Sequence, residues 1–215
     1  MECISHKKRV TGNIKLRKKM IKPICIIPAR AGSKGISNKN IRLIAGKPLI
    51  SYTIKSALES KIFSHVIVTT EDKKIAAIAK KYGAEVPFLR PKYLATDSTP
   101  MAPVILHAIK KLNSLGFFFE IFVLRDCTVP FIDASDMKGA IKLLKKSNCY
   151  SIYGSVKAHP NPYFQMWEID KKGFLKISKT TNKTITRRQD APIVYIIDGV
   201  FVFWTRKFLD VRKCE

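Results

Sequence analysis

At 215 residues and 46% hydrophobic composition, with no internal repeat, the chain has the size of one ordinary globular domain carrying at most a small appendage. Its longest apolar run, residues 116–124, is broken by Glu120 and too short for a bilayer, and its five cysteines are scattered without C-x-x-C spacing; this argues against a membrane span, a disulfide framework and a zinc site, and for a reducing, cytoplasmic setting. The formal charge of +24 invites a nucleic-acid reading, but the excess lies partly in residues 1–22 and partly along predicted helices as solvated faces, with no aromatic-rich basic motif, so a nucleic-acid partner is not expected.

In chain order, residues 1–22 are basic and without apolar periodicity, a disordered leader that lacks the apolar stretch of a secretory signal. The folded domain is expected over 23–215. Residues 24–27 have the length and β-branched content of a buried strand, and Pro28 stops it by removing a ladder donor. The loop that follows carries Ala29, Arg30, Gly32, Ser33, Lys34, Gly35, Lys39 and Asn40. Its glycines permit a tight turn and close approach of a ligand, its N–H groups can converge on anionic oxygens, and Arg30, Lys34 and Lys39 add charge. It reads as a phosphate site, although it has neither the Walker A spacing nor G-x-G-x-x-G.

Pro48 opens a helix whose apolar stripe is Ile50, Ile54, Ala57 and Leu58. Residues 65–70 read as a strand; Glu71 and Asp72 start a helix with Ile75, Ala76, Ile78, Ala79 and Tyr82 inward, stopped by Gly83. A short strand over 86–89 leads into loop 90–97, where Asp97 is a candidate helix initiator. The next helix buries Val104, Ile105, Ala108, Ile109 and Leu112 and ends at Gly116; its His107 has no second histidine at metal spacing. A central strand is predicted over 120–124, with Asp126 in the loop at its carboxyl end. A carboxylate there, facing a triphosphate, suits Mg²⁺, which takes carboxylate, water and phosphate oxygens; the alternative is a turn carboxylate capping the next helix. Cys127 has no histidine nearby and reads as a packing residue. Ser135 or Asp136 caps a helix through Met137, Ala140, Ile141 and Leu144, and a strand follows at 150–156. Residues 157–190 then lose the alternation, with a hairpin predicted between 164–169 and 173–177 around 170–172. Gly199 opens the last strand, 200–204, and allows the backbone close to a ligand. Strands alternating with helices predict an α/β fold with a mainly parallel sheet, helices on both faces, and ligands beyond the carboxyl ends of the strands, where the opening loop lies.

The string Ile27-Pro28-Ala29-Arg30, Gly32-Ser33-Lys34-Gly35-Ile36 and Lys39-Asn40-Ile41 resembles the I-P-A-R-x-G-S-K-G-[IL]-x-x-K-N-[IL] signature of the acylneuraminate cytidylyltransferase family, the CMP-sugar-acid synthetases. Arg90-Pro91, Leu94-Ala95 and Asp97 match its R-P-x-x-L-A-x-D element; Asp126, Thr128 and Pro130 match an L-D-x-T-x-P form. Arg188-Gln189 with Pro192, and Asp198-Gly199-Val200, match R-Q-x-x-P and [ND]-G-[AV]. The resemblance covers residues 24 to about 205 and implies a three-layer α/β/α Rossmann-like nucleotidyltransferase fold, a small dimerisation arm at 158–190 and a catalytic homodimer. It implies transfer of CMP from CTP to a nine-carbon 2-keto sugar acid of N-acylneuraminate, legionaminate or pseudaminate type, releasing pyrophosphate, with Mg²⁺ or Mn²⁺ as cofactor.

By the same resemblance Ala29, Arg30, Gly32, Ser33, Lys34, Lys39, Asn40 and Arg90 bind the nucleotide. Asp126, Thr128, Arg188, Gln189, Asp198 and Gly199 face the acceptor, with Arg188 on its carboxylate through a two-bond fork. Arg30, Lys34 and Asp126 carry catalysis, Asp126 holds the metal, and no general base is identified. Two departures stand out. The chain ends at Glu215 without the family's paired-aspartate S-x-D-I-D segment, so either a truncated molecule or a metal resting on Asp126 and Asp198 is expected; and Ile196 stands where some sialic-acid enzymes carry arginine, which leaves the sugar open. The alternatives are a CMP-Kdo synthetase, whose usual loop runs S-T-R-L-P-G-K, an inactive relative that binds nucleotide without turnover, and, weakest, a basic protein with salt-sensitive duplex binding.

Overall fold

The computed structural model describes residues 21–32 and 35–211; the leader expected over 1–22 lies almost wholly outside them, as do Ser33 and Lys34. In order, the elements are β1 (Ile24–Pro28), β2 (Leu43–Ile44), β3 (Lys47–Pro48), α1 (Leu49–Glu59), β4 (Val66–Thr69), α2 (Lys73–Lys81), α3 (Met101–Ser114) and β5 (Ile121–Arg125). They continue with α4 (Ala134–Lys146), β6 (Ser151–Lys157), β7 (Trp167–Ile169), β8 (Leu175–Ile177), β9 (Tyr195–Trp204) and α5 (Thr205–Val211). The main sheet has the order β4-β1-β5-β9-β6. β1 pairs in parallel with β4 and β5, whereas β9 runs antiparallel to β5 and β6, so β9 alone opposes the other four strands.

Alternate side chains leave the sheet on opposite faces, and both faces are covered. Ile24, Ile26, Phe122 and Leu124 pack on Ile105, Ile109 and Leu112 of α3. Cys25, Ile27, Val66 and Val68 pack on Ile50 and Ile54 of α1 and Ile75 and Ala79 of α2, and Ile121 and Val123 on Met137, Ile141 and Leu144 of α4. This is the expected α/β/α sandwich. It puts the carboxyl ends of β4, β1 and β5 side by side at one edge.

Several local expectations shift. Pro48 immediately precedes α1 rather than opening it, and Leu58 is exposed, one position off the buried stripe of Ile50, Ile54 and Ala57. Asp72 alone caps α2 through Ile75 N–H, and α3 starts after Pro100, so Asp97 initiates nothing. The strand predicted at 86–89 is reduced to one bridge, Ile67 with Glu85, because Pro87 has no N–H to continue a ladder. Asp133, not Ser135 or Asp136, caps α4, in a capping box with Asp136. The hairpin forms from β7 and β8 about a turn in which Asp170 Oδ1 accepts from Lys172 N and Phe174 N, but residues 164–166 instead donate to Asn161 O. β9 begins at Tyr195, five residues early: an irregularity at Gly154 in β6 lets 195–197 pair with 155–157.

Cys25 and Cys127 are buried beside β1 and β5, as a packing role for Cys127 requires. Burial pushes the Cys25 thiol up to about 12, with Arg125 pulling weakly the other way; Cys127 is also raised, first by burial and then by Asp126. Above about pH 9 an unfolded thiol ionises while these stay protonated, so the native state binds more protons and stability falls as pH rises, by up to about 1.4 kcal/mol per unit per thiol. Urea unfolding at about pH 8, 9 and 10 measures this slope; a flat profile would exclude it.

Candidate active site

The site grows from the end of β1. Ala29 N still donates to Thr69 O at 3.0 Å, so the chain leaves the sheet only after Ala29, which is itself buried. The loop is then held at two points: Ala31 N donates to Glu71 Oε1 at 2.8 Å, and the buried Asn40 donates Nδ2 to Arg30 O at 3.0 Å. Lys39–Ile41 forms a single 3₁₀ turn, entered through Asn38 at φ 52°, a left-handed conformation that asparagine tolerates. Arg30, Lys39, Asn40, Arg90 and Asp126 all line one open cavity of about 670 Å³, together with Asp97 and the apolar Ile36, Leu94, Met101 and Val104. The lining combines cationic and apolar side chains, which suit the charged phosphates and flat base of a nucleotide.

The charges in it are paired unequally. Arg30 Nη1 meets Asp97 Oδ1 at 2.7 Å with both side chains about one-third exposed, an exchangeable contact in water. Arg90 is nearly buried and donates Nη2 to Glu71 Oε2 at 2.9 Å. Across the cavity Asp126 sits just past β5; its N–H donates to Gly199 O at 3.3 Å, and its Oδ1 accepts Thr128 N–H at 2.9 Å and Thr128 O–H at 2.8 Å. Asp126 also borders an adjoining apolar cavity of about 390 Å³ walled by Tyr153, Phe201, Phe203 and Phe208.

The structure thus brings together Arg30, Lys39, Asn40, Arg90 and Asp126, with Thr128 bonded to Asp126. Gly32 is exposed at the loop and, among the described residues, no atom lies within 4 Å of where its Cβ would stand; Ser33 and Lys34 lie outside the described residues. Gly199 is needed for a different reason than expected: at φ +81° a Cβ there would lie 2.6 Å from Ile132 Cδ1 and 3.0 Å from Val129 Cγ1, so what comes close is the protein's own loop. Asp198 Oδ1 accepts its neighbour's N–H, from Gly199, at 2.7 Å. Arg188 and Gln189 line a separate depression of about 420 Å³ with His159 and Asn161, where Arg188 Nη1 lies 3.1 Å from His159 Nε2.

Two residues of this region carry no motif. Glu71 was legible only as a helix start, although two acids before α2 exceed what one cap needs. Arg125 ends the apolar string of β5 and is fully buried; it donates to Met137 Sδ and, at 3.4 Å, to Val129 O, and desolvation holds its pKa below the usual guanidinium range. Its position just before Asp126 makes it part of the support for that loop.

A basic loop at the carboxyl ends of the strands of a covered α/β sheet, sharing one open cavity with a carboxylate, suits a nucleotide, and the family match makes the chain a nucleotidyltransferase. Residues 24–196 match the family described as cytidylyltransferase, and the chain belongs to that family. It is 36% identical over 193 residues to CMP-N,N'-diacetyllegionaminic acid synthase of Campylobacter jejuni, covering 88% of this chain and 80% of that protein. It is 43% identical over 141 residues to N-acylneuraminate cytidylyltransferase of Escherichia coli, covering 66% of this chain and 32% of the relative. In fold it is similar to a CMP:2-keto-3-deoxy-manno-octonic acid synthetase solved with CTP, at TM-score 0.67 and 15% identity over 90% of this chain and 78% of the other.

Proposed function

We propose that the chain transfers CMP from CTP to the anomeric hydroxyl of a nine-carbon 2-keto sugar acid. The hydroxyl oxygen bonds to the α-phosphorus and gives up its proton to water, the bond to the bridging oxygen breaks, and pyrophosphate leaves with the electron pair. The observation that carries this reading is the convergence of Arg30, Lys39, Asn40 and Arg90 on one cavity opposite Asp126. In such a transfer positioning and charge neutralisation dominate the rate. Arg30 and Lys39, with Ser33 and Lys34, are assigned to the phosphates, and Lys34 to the leaving pyrophosphate. Asn40 and Arg90 are assigned to the nucleoside end, beside Leu94 and Val104.

Among the described residues no group of three or more potential metal ligands exists. A divalent ion of the Mg²⁺ or Mn²⁺ kind fits this site all the same, because Mg²⁺ takes one or two carboxylates plus water and substrate phosphate oxygens; Asp126 would hold it, and it would supply neutralisation of triphosphate charge. Both hydrogen bonds to Asp126 fall on Oδ1, which keeps the carboxylate oriented. Arg188 and Gln189 are assigned to the acceptor's carboxylate in a homodimer, where the arm of one copy reaches the other. Exposed Trp167, Ile169, Phe174 and Leu175 on the hairpin and Tyr195, Ile196 and Ile197 on β9 give such a dimer an apolar surface to bury. No helix among the described residues is long and apolar enough to cross a membrane.

The test is pyrophosphate release from CTP and Mg²⁺ across N-acylneuraminic, legionaminic, pseudaminic and Kdo acids, repeated with Lys34→Ala. Release with one acid, reduced about a hundredfold or more by the substitution, is the expected result. Release with Kdo alone would overturn the acceptor, and CTP binding without release from any acid would identify a non-catalytic relative.

A further inference from the structure

We infer that Glu71 is a positioning residue of the nucleotide cavity: its carboxylate ties the backbone of the loop after β1 to the Arg90 guanidinium and so sets where both present themselves to the nucleotide. The inference deepens the assignment of the cavity to CTP and rests on it. Glu71 is not needed where it stands in sequence. Asp72 caps α2 by accepting Ile75 N–H at 2.7 Å, and Thr70 Oγ1 accepts Asp72 N–H at 3.1 Å, so the start of the helix is complete without it.

Its side chain turns instead to the loop after β1 and to Arg90, which lines the cavity. Oε1 accepts the N–H of Ala31, 40 positions away, at 2.8 Å, and Oε2 accepts Arg90 Nη2 at 2.9 Å. The two side chains are 12% and 3% exposed, while the Arg90 backbone is pinned by its own N–H to Thr70 O at 2.8 Å. One carboxylate therefore joins the three segments that leave the sheet edge: the loop after β1, the end of β4, and the strand-like segment that delivers Arg90.

A carboxylate beside a triphosphate site repels the ligand unless its charge is met. Here both oxygens are engaged, and in return the buried Arg90 guanidinium is paired and fixed in place. The engaged Ala31 N–H also takes no part in binding anions. It fixes the direction in which the loop sets out toward Gly32 and Gly35. Glu71 thus acts through Ala31 and Arg90 and touches no reacting atom.

The experiment uses the full chain with Glu71→Gln, Glu71→Ala, Arg90→Met and the double variant Glu71→Gln/Arg90→Met. Hydrogen exchange at the Ala31 amide, read without ligand, is expected to speed up about tenfold or more in Glu71→Ala and to stay near the parent in Glu71→Gln, whose amide oxygen can still accept. Calorimetric titration with CTP is expected to show binding weakened about ten- to a hundredfold by Glu71→Gln, the range for one charge-assisted hydrogen bond, with the double variant no weaker than Arg90→Met alone. The double variant leaves no buried cation unpaired, so it keeps the test open where Glu71→Ala fails to fold. Unchanged Ala31 exchange in Glu71→Ala, or losses of CTP affinity that simply add, would overturn the inference. Failure of the parent chain to bind CTP would sink the nucleotide assignment, while the exchange measurement still decides the tie between Glu71 and the loop.

Discussion

Asp126→Asn is expected to lower the rate of pyrophosphate release by about a hundred- to a thousandfold while leaving metal-free CTP binding within about threefold of the parent. The substitution is close to isosteric, and the Thr128 N–H and O–H donors that hold Oδ1 at 2.9 and 2.8 Å have an amide oxygen to meet in its place. The loop therefore keeps its shape and only the charge is lost. A single preorganised electrostatic contact to a phosphoryl-transfer site is worth about 3–4 kcal/mol, which is that range in rate. Burst and steady-state rates with saturating CTP, at several Mg²⁺ concentrations, are the measurement. A turnover number unchanged at saturating Mg²⁺ would remove Asp126 from the machinery and leave it the turn residue that its bonds to Thr128 also describe.

Gly199→Ala is expected to destabilise the fold by about 2–5 kcal/mol, combining strain at a left-handed position with overpacking against the next loop. The φ of +81° disfavours any side chain, and the new Cβ would stand 2.6 Å from Ile132 Cδ1 and 3.0 Å from Val129 Cγ1. The same residue's carbonyl accepts Asp126 N–H, so the displaced loop carries Asp126 with it and activity is lost together with stability. For a chain of this size the melting temperature should fall by roughly 5–15 °C. Gly32→Ala is the control, because among the described residues nothing lies within 4 Å of its Cβ position and its φ is not left-handed; its melting temperature should move by no more than about 2 °C. Equal shifts in the two variants would show that Gly199 is not the tight point.

How much was legible follows from how local each signal is. The apolar run before Pro28, the β-branched string of β4 and the stripe of α2 predicted their elements to within a residue or two, because burial leaves a sequence pattern that needs no partner to be read, whereas the stripe of α3 was legible but its start, at Met101, was not. Capping was less secure: Ser135, Asp136 and Asp133 are all plausible by type, and the choice fell to the residue whose side chain reaches back to two N–H groups. The early start of β9 was hidden, since its residues 195–197 are exposed and pair only because β6 bends at Gly154.

By itself the sequence determined the class of the protein: the order of strands and helices, the basic loop after Pro28, and the family motifs that put Arg30, Asn40, Arg90 and Asp126 in one site. Only the tertiary structure decided what those residues are tied to. Glu71 meets Ala31 and Arg90, Gly199 meets Val129 and Ile132, and Arg125 is enclosed beside Met137. These contacts join residues far apart in the chain, as Ser56 O–H to Ile132 O does across 76 positions, and no periodicity or spacing encodes them. They arise because parallel pairing brings the carboxyl ends of β4, β1 and β5 to one edge, where polar groups that leave the sheet must find partners in each other.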